Sequence, residues 1–253
     1  MNKFTHLLAK KPNAPGNPVE AETLTGHTLK VIEMAKILTG MLAESLKSVM
    51  EVDADAIRHW EKAVCIAAWI HDWGKANDHF QMMIRNPSFK QGVRHEAISL
   101  AMVKELEQWL EPVWDSLPRW AKCAAIYSAA GHHLKFPDPY ADVRSGTKVT
   151  VMFSHPDLTD VFQFGCDAFQ LEHCPQVQDK EFSLFARGDL VKQLKALQRE
   201  LDYDFDDKEK VLISAVKATL MASDLGGSAL PKHCSDPEQW LRDRLSKTLS
   251  TQT

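Results

Sequence analysis

The sequence predicts a mostly α fold, a helical bundle carrying one irregular insertion. Three observations predict it. Apolar residues recur at three- and four-residue steps through most of the 253 residues, only one short stretch alternates apolar with polar, and prolines at 137, 139, 156 and 175 interrupt the middle.

Lys11 to Glu22 contains Pro12, Pro15, Gly16 and Pro18 and reads as a loop. A first helix begins near Thr25 and turns Val31, Met34, Leu38 and Leu42 to one side. A second carries Ile57, Trp60, Val64 and Ala67 or Ala68, and is expected to stop near Gly74. A third uses Ile98, Met102, Leu106 and Trp109, and a fourth uses Trp120, Ala124 and Tyr127 before ending at Gly131. From Phe136 to about Lys180 the pattern breaks into an insertion. Its one β-like stretch, residues 147 to 153, alternates Val149, Val151 and Phe153 with polar neighbours and Met152, so a small hairpin and a short helix are expected there. Helical periodicity returns at about Phe182 to Leu201, again from Lys208 with Ile213, Val216 and Leu220, and in a last short helix from Pro237 to Leu249. The expected division is one domain over residues 1–235, with its insertion at about 136–180, and a tail or linker start over 236–253.

Hydrophobic residues at 44% and charged residues at 25% describe an ordinary globule with a sizeable core. A formal charge of −4 argues against gripping nucleic acid through a broad basic surface. It leaves room for a nuclease whose bound cations supply a local positive field. Five cysteines with no CxxC pair give neither a zinc ribbon nor a thioredoxin motif, and an odd count suits a reducing compartment. His173-Cys174 and His233-Cys234 lack the paired spacing of soft-metal sites. No stretch is apolar and long enough for a signal peptide or a membrane span, so a cytoplasmic location without membrane contact is expected.

Chemistry gathers at five places: His27, the pair His71-Asp72, His95, the pair His132-His133, and Asp224. His27 lies four residues before Val31, His95 three before Ile98, and Asp224 four after Leu220, so each falls on an apolar stripe. The two pairs close the ends of apolar helices. Any one of them alone is accounted for as a hydrogen-bonded core residue or a local cap or pair, and His6, His59, His79, His155, His173 and His233 show how readily the sequence places histidine elsewhere, in structural or solvent-exposed positions. Together they demand more. A buried imidazole or carboxylate without a partner costs on the order of 1–3 kcal/mol. Five histidines and two aspartates on core-facing positions satisfy one another most simply around cations, enough for two sites bridged by a carboxylate.

The order His27, then Ile70-His71-Asp72-Trp73-Gly74-Lys75, then Arg94-His95-Glu96, then Gly131-His132-His133, then Asp224 resembles the HD superfamily of metal-dependent phosphohydrolases. The Gly-Lys after His-Asp, the Arg-His-Glu and the double His resemble one branch of it, the HD nuclease of type I CRISPR systems, whether free-standing or fused to a helicase. The resemblance covers roughly residues 4 to 230. Leu134 departs from it, standing where the family often has Gly, and so does the 136–180 insertion, which has no counterpart to align with. The resemblance implies an HD-domain bundle in which His27, His71, Asp72 and Asp224 form one metal site. It also implies that His95, His132 and His133 form a second, with Asp72 bridging, and that Asp72 and Lys75 serve catalysis, Lys75 near the scissile phosphate. Glu96 and Ser99 would orient His95.

An imidazole-rich, thiolate-free ligand set suits two divalent transition metal ions, with Mn, Fe, Co or Ni favoured and Mg or Zn admissible. Such a pair clamps a phosphodiester and activates a water for in-line attack. The implied substrate is single-stranded DNA, tracked by some of Lys10, Lys11, Arg85, Lys90, Arg94, Lys135, Arg144 and Lys148. The implied partners are a CRISPR helicase and the crRNA-guided surveillance complex. Two other readings stay open: an HD phosphohydrolase acting on nucleotides or cyclic nucleotides, and a metal-free docking module.

Overall fold

Thr23 opens the first helix, because its Oγ1 accepts the amide of Gly26 and satisfies a donor that the first turn leaves free. The structure is a computed structural model that describes residues 4–14, 16–90, 92–133, 148–183, 196–202, 204–230 and 233–250, with side chains of the last helix described through Arg244. Helix α1 (Leu24–Met50) ends at Glu51, which reverses the chain in a left-handed conformation. Asp53 caps α2 (Ala54–Ile70) by accepting from Ala56. A single 3-10 turn (Trp73–Lys75) leads to α3 (Asp78–Arg85), capped by Asn77.

The stripe running from Ile98 through Trp109 breaks at Leu106. Its backbone leaves helical geometry (φ −99°, ψ 15°) and yields two helices, α4 (His95–Glu105) and α5 (Glu107–Asp115). Leu106 and Leu110 are both buried, so the apolar face continues into the core across the break. Helix α6 (Arg119–Ala130) ends before Gly131 as expected.

The region expected to be an irregular insertion contributes to the core. Strand β1 (Lys148–Val151) pairs antiparallel with β2 (Lys180–Ser183), Val149 opposite Phe182. The two are joined across α7 (Pro156–Phe169) rather than by a tight turn. Leu158, Val161 and Phe162 of α7 are buried, and Trp69 Nε1 of α2 donates to Val161 O at 2.6 Å. Phe182, expected to start a helix, lies instead in β2, while residues 184–195 of that expected helix lie outside the described residues.

Residues 196–202 are helical and belong to α8. Helix α9 (Asp207–Ala229) opens with a reciprocal cap in which Asp206 accepts from Glu209 N and Glu209 accepts from Asp206 N. Helix α10 (Pro237–Ser250) follows. Helices α1, α2, α6 and α9 pack on one another as the bundle, with α7 against α1 and α2, and α4 against α6 and the 3-10 turn. At Gly227 a Cβ would lie 3.0 Å from the backbone of Lys30 and Val31, so this glycine sets how closely α9 crosses α1. Among the described residues no helix is long and apolar enough to cross a membrane.

Candidate metal centre

Trp60, Trp69 and Trp73 anchor the second helix and its exit in the core, and the polar residues gather where that helix ends. His71 caps the C-terminus of α2, Asp72 follows, and the stop expected near Gly74 falls inside the Trp73–Lys75 turn, four residues past the last helical residue, Ile70. Gly74 is required there. A Cβ at this position would meet His95 O at 1.9 Å and Ser99 N at 2.5 Å, so only glycine lets the turn lie against the start of α4. Ser99 completes the joint, its Oγ donating to His71 O and accepting from Gly74 N. Its hydroxyl therefore holds the turn rather than orienting His95.

His71 and His132 are held in the same way at the ends of two helices. Each Nδ1 donates to the carbonyl three residues back, Ala68 O at 2.7 Å and Ala129 O at 2.8 Å. A proton on Nδ1 leaves a lone pair on Nε2, the form that binds cations. The two rings meet edge-on with centroids 5.0 Å apart.

Asp72, 1% exposed, sits among the imidazoles with one oxygen toward each group. Its Oδ2 lies 3.1 Å from His27 Nε2 and 3.2 Å from His71 Nε2, while Oδ1 lies 3.2 Å from His95 Nε2 and 3.7 Å from His132 Nε2. Asp224 Oδ1 reaches His27 Nε2 at 3.3 Å. His133, the exposed member, packs with its ring tilted against His132 at 4.0 Å between centroids and edge-on to His95 at 5.5 Å. All seven residues singled out from the sequence are thus brought together. Ligand atoms within 4.8 Å of one another form the groups His27, His71, Asp72 and His95, His132, His133. A further group, His71, His132 and Asp224, links them into one cluster.

The electrostatics follow from this crowding. Burial pushes the Asp72 carboxyl up, but His71, Lys75 and the imidazoles of His132 and His27 outweigh it and hold Asp72 well below the carboxylate range. Asp224 is likewise raised by burial and brought down further by His27 and His71. Burial lowers His95. Desolvation, with His132 and His95 alongside, pushes His133 down to about 4. Anionic carboxylates beside neutral imidazoles are the protonation states that ligate divalent ions.

Among the described residues, both Asp72 oxygens and the Nε2 atoms of His27, His71, His95 and His132 are buried without a hydrogen-bond partner, the ion pair of Lys75 with Asp72 Oδ2 aside. So many orphaned groups pointing at one another fit a divalent cation, which would satisfy them together. Lys75 Nζ lies 2.6 Å from Asp72 Oδ2, the cation that meets this carboxylate in the structure. Glu96 Oε2 stands 3.3 Å from His95 Nδ1 and backs that ring from behind.

An open cavity of about 500 Å³ beside the cluster is lined by Phe80, Gly92, Val93, Arg94, His95, Glu96 and His133. Of the basic residues considered for strand binding, only Arg94 lines it; Lys148 pairs with Glu181, Arg85 bonds to Gln81 and His6 O, and Lys135 and Arg144 lie outside the described residues. Sequence reading missed Phe80, Asn77 and Gln81. Phe80 packs on His95 at 5.5 Å. Gln81 bonds to Leu8 and to Lys75 O, and Asn77 Nδ2 to Gly74 O. The Asn before α3 carries a legible capping signal, while Gln81 carries none.

The family model described as "Cas3, HD domain" matches residues 9–182. A curated relative, "Putative CRISPR-associated nuclease/helicase Cas3" of Myxococcus xanthus (strain DK1622), is 28% identical over 252 residues. That alignment takes in 95% of this chain and 33% of the relative, so the chain spans about a third of the relative's length. Among solved structures, a CRISPR-associated Cas3 HD domain protein from Methanocaldococcus jannaschii aligns with a TM-score of 0.49 and 14% identity, covering 87% of this chain and 100% of its own. With a helical bundle, a His/Asp cluster suited to divalent metals and a family match over most of its length, the chain belongs to the Cas3 HD-domain family.

Proposed function

We propose that this chain is a metal-dependent nuclease that hydrolyses phosphodiester bonds of single-stranded DNA in type I CRISPR interference. One observation carries the reading: Asp72 turns one oxygen to His27 and His71 and the other to His95 and His132, whose Nε2 atoms are buried and have no hydrogen-bond partner among the described residues. In this reading Asp72 bridges two sites, one completed by His27, His71 and Asp224, the other by His95, His132 and His133. Two divalent transition ions held there, with Mn, Fe, Co or Ni favoured by the imidazole-rich set, would supply a water of lowered pKa and neutralise phosphate charge.

The remaining work falls to the chain itself. The Nδ1–H bonds of His71 and His132 fix both rings so that their lone pairs face inward before any ligand arrives. Lys75, released from Asp72, would neutralise a non-bridging phosphate oxygen. His133 marks the solvent side, next to the cavity that Arg94 and Phe80 line, where a flexible strand reaches the cluster more easily than a stiff duplex. The weak basic surface fits a strand delivered by a helicase and a crRNA-guided surveillance complex, on which the whole pathway would depend.

The deciding experiment is a cleavage assay on circular single-stranded and duplex DNA with Mn²⁺, Ni²⁺, Co²⁺, Mg²⁺ or Zn²⁺, with Asp72→Ala beside the parent. Metal-dependent cutting of the single strand, absent in the variant, is expected. Hydrolysis of nucleotides or cyclic dinucleotides without DNA cleavage would transfer the chain to the nucleotide phosphohydrolases instead.

A further inference from the structure

Outside the metal cluster, another pair of reactive side chains is held at close range. Cys166 lies in the last turn of α7 and is buried, while Cys174 follows in the segment after that helix. Gln170 caps α7 in the left-handed conformation (φ 57°, ψ 42°) and sends the chain back along the helix it has just left. The return places Cys174 Sγ 2.9 Å from Cys166 Sγ, inside the contact distance of two sulfur atoms. Cys174 Sγ also lies 3.2 Å from Gln163 Oε1, one turn earlier on the same helix, which accepts its thiol hydrogen and fixes the rotamer that faces Cys166.

We propose that Cys166 and Cys174 are a modification site, a dithiol that closes to a disulfide by exchange with a low-molecular-weight disulfide of the glutathione type. Cys174 is the partly exposed member and reacts first. Its thiol loses a proton, and the sulfur attacks one sulfur of the external disulfide. The external S–S bond breaks, and one low-molecular-weight thiol leaves. Cys166 then loses its proton and attacks the Cys174 sulfur of the mixed disulfide, expelling the second thiol. Two protein thiols are oxidised, and one external disulfide is reduced to two thiols. Burial and the adjacent Cys174 thiol push Cys166 up to about 12, which disfavours its thiolate and makes its attack on the mixed disulfide the slow step.

The bond would pin a segment that covers the aromatic layer beneath α2. Trp109 Nε1 donates to His173 O at 2.8 Å, and Trp109 packs against Trp69 at 5.7 Å and Phe162 at 5.5 Å. Closing residues 166 to 174 therefore fastens the outer wall of the core that supports His71 and Asp72, with no atom of the metal cluster involved.

Glu172 lies between the two cysteines, so a glutamate-specific protease separates them unless they are linked. The folded protein is equilibrated with oxidised glutathione, quenched in acid, alkylated, cleaved at glutamate and examined by mass spectrometry. The expected product is a linked Cys166–Cys174 peptide pair two hydrogens lighter than its parts, reversed by reductant, with a higher melting temperature than the reduced protein. Cys166→Ser should trap a stable glutathione adduct on Cys174, and Cys174→Ser should show no linked pair and no redox-dependent melting shift. Cys166→Ala replaces Cys166→Ser if the serine variant does not fold. Persistence of a Cys174–glutathione adduct in the parent, or two alkylated thiols at every glutathione ratio, would overturn the assignment.

Discussion

Lys75 Nζ and Asp72 Oδ2 stand 2.6 Å apart, a buried ion pair at the point where the two imidazole groups meet. The pair makes a stable arrangement of the cluster before any divalent ion binds, and it sets Lys75 in competition with such an ion for the same oxygen. Lys75→Met should therefore bind Mn²⁺ or Ni²⁺ more tightly than the parent while cutting DNA more slowly. Removing about 1.4 kcal/mol of repulsion corresponds to about tenfold in affinity. Titration calorimetry read beside the cleavage rate checks both directions, and weaker metal binding in the variant would contradict the competition.

Gly74→Ala tests the joint between the α2 exit and α4. The added carbon would sit 1.9 Å from His95 O, a backbone atom that cannot swing aside. Overpacking of this kind costs about 1–3 kcal/mol. Urea denaturation should show a loss of that order, accompanied by weaker metal binding because His95 and Asp72 are moved apart.

Glu96→Gln keeps the shape behind His95 but removes the carboxylate at Nδ1. Losing such a supporting charge typically costs about 10–100-fold in metal affinity. Elemental analysis after dialysis against a graded chelator should show that loss, with a melting temperature much closer to the parent than that of Gly74→Ala.

The lowered histidines predict an acid limit to stability. In the folded chain burial holds His95 below its ordinary value, and His133 lies at about 4, whereas unfolded histidines take up protons near about 6.5. The unfolded state thus binds more protons in this interval, and metal-free stability falls as pH drops from about 6.5 toward 4. Asp72 and Asp224, held below the carboxylate range, continue the loss at lower pH as the unfolded carboxylates protonate. Denaturation in chelator across this range should show the slope, and His95→Asn should flatten its upper part.

What the sequence reveals and what it hides divide along physical lines. His27, His95 and Asp224 are legible because helical spacing puts them on apolar stripes, and His71-Asp72 and His132-His133 because they close such stripes. Pro156 is misleading in the sequence, where it reads as an interruption. It occupies the first turn of α7, where a proline lacks nothing the helix needs. The β1–β2 pairing joins residues some thirty positions apart, beyond the reach of any local pattern. Gln81 is invisible for another reason: its value lies in three contacts to Leu8 and Lys75 that exist only after folding.

Strand β1 also reaches back to the segment after Lys75. Met152 N bonds to Ala76 O at 2.9 Å, and Asn77 bridges to Val151. The small sheet is thereby a buttress for a turn more than seventy residues upstream. Shortened versions of this chain that stop between Lys75 and Val151 would keep His71, Asp72 and Lys75 in sequence yet leave their turn unbraced. A minimal working fragment must be drawn by what leans on what, and here the brace lies far from the motif it steadies.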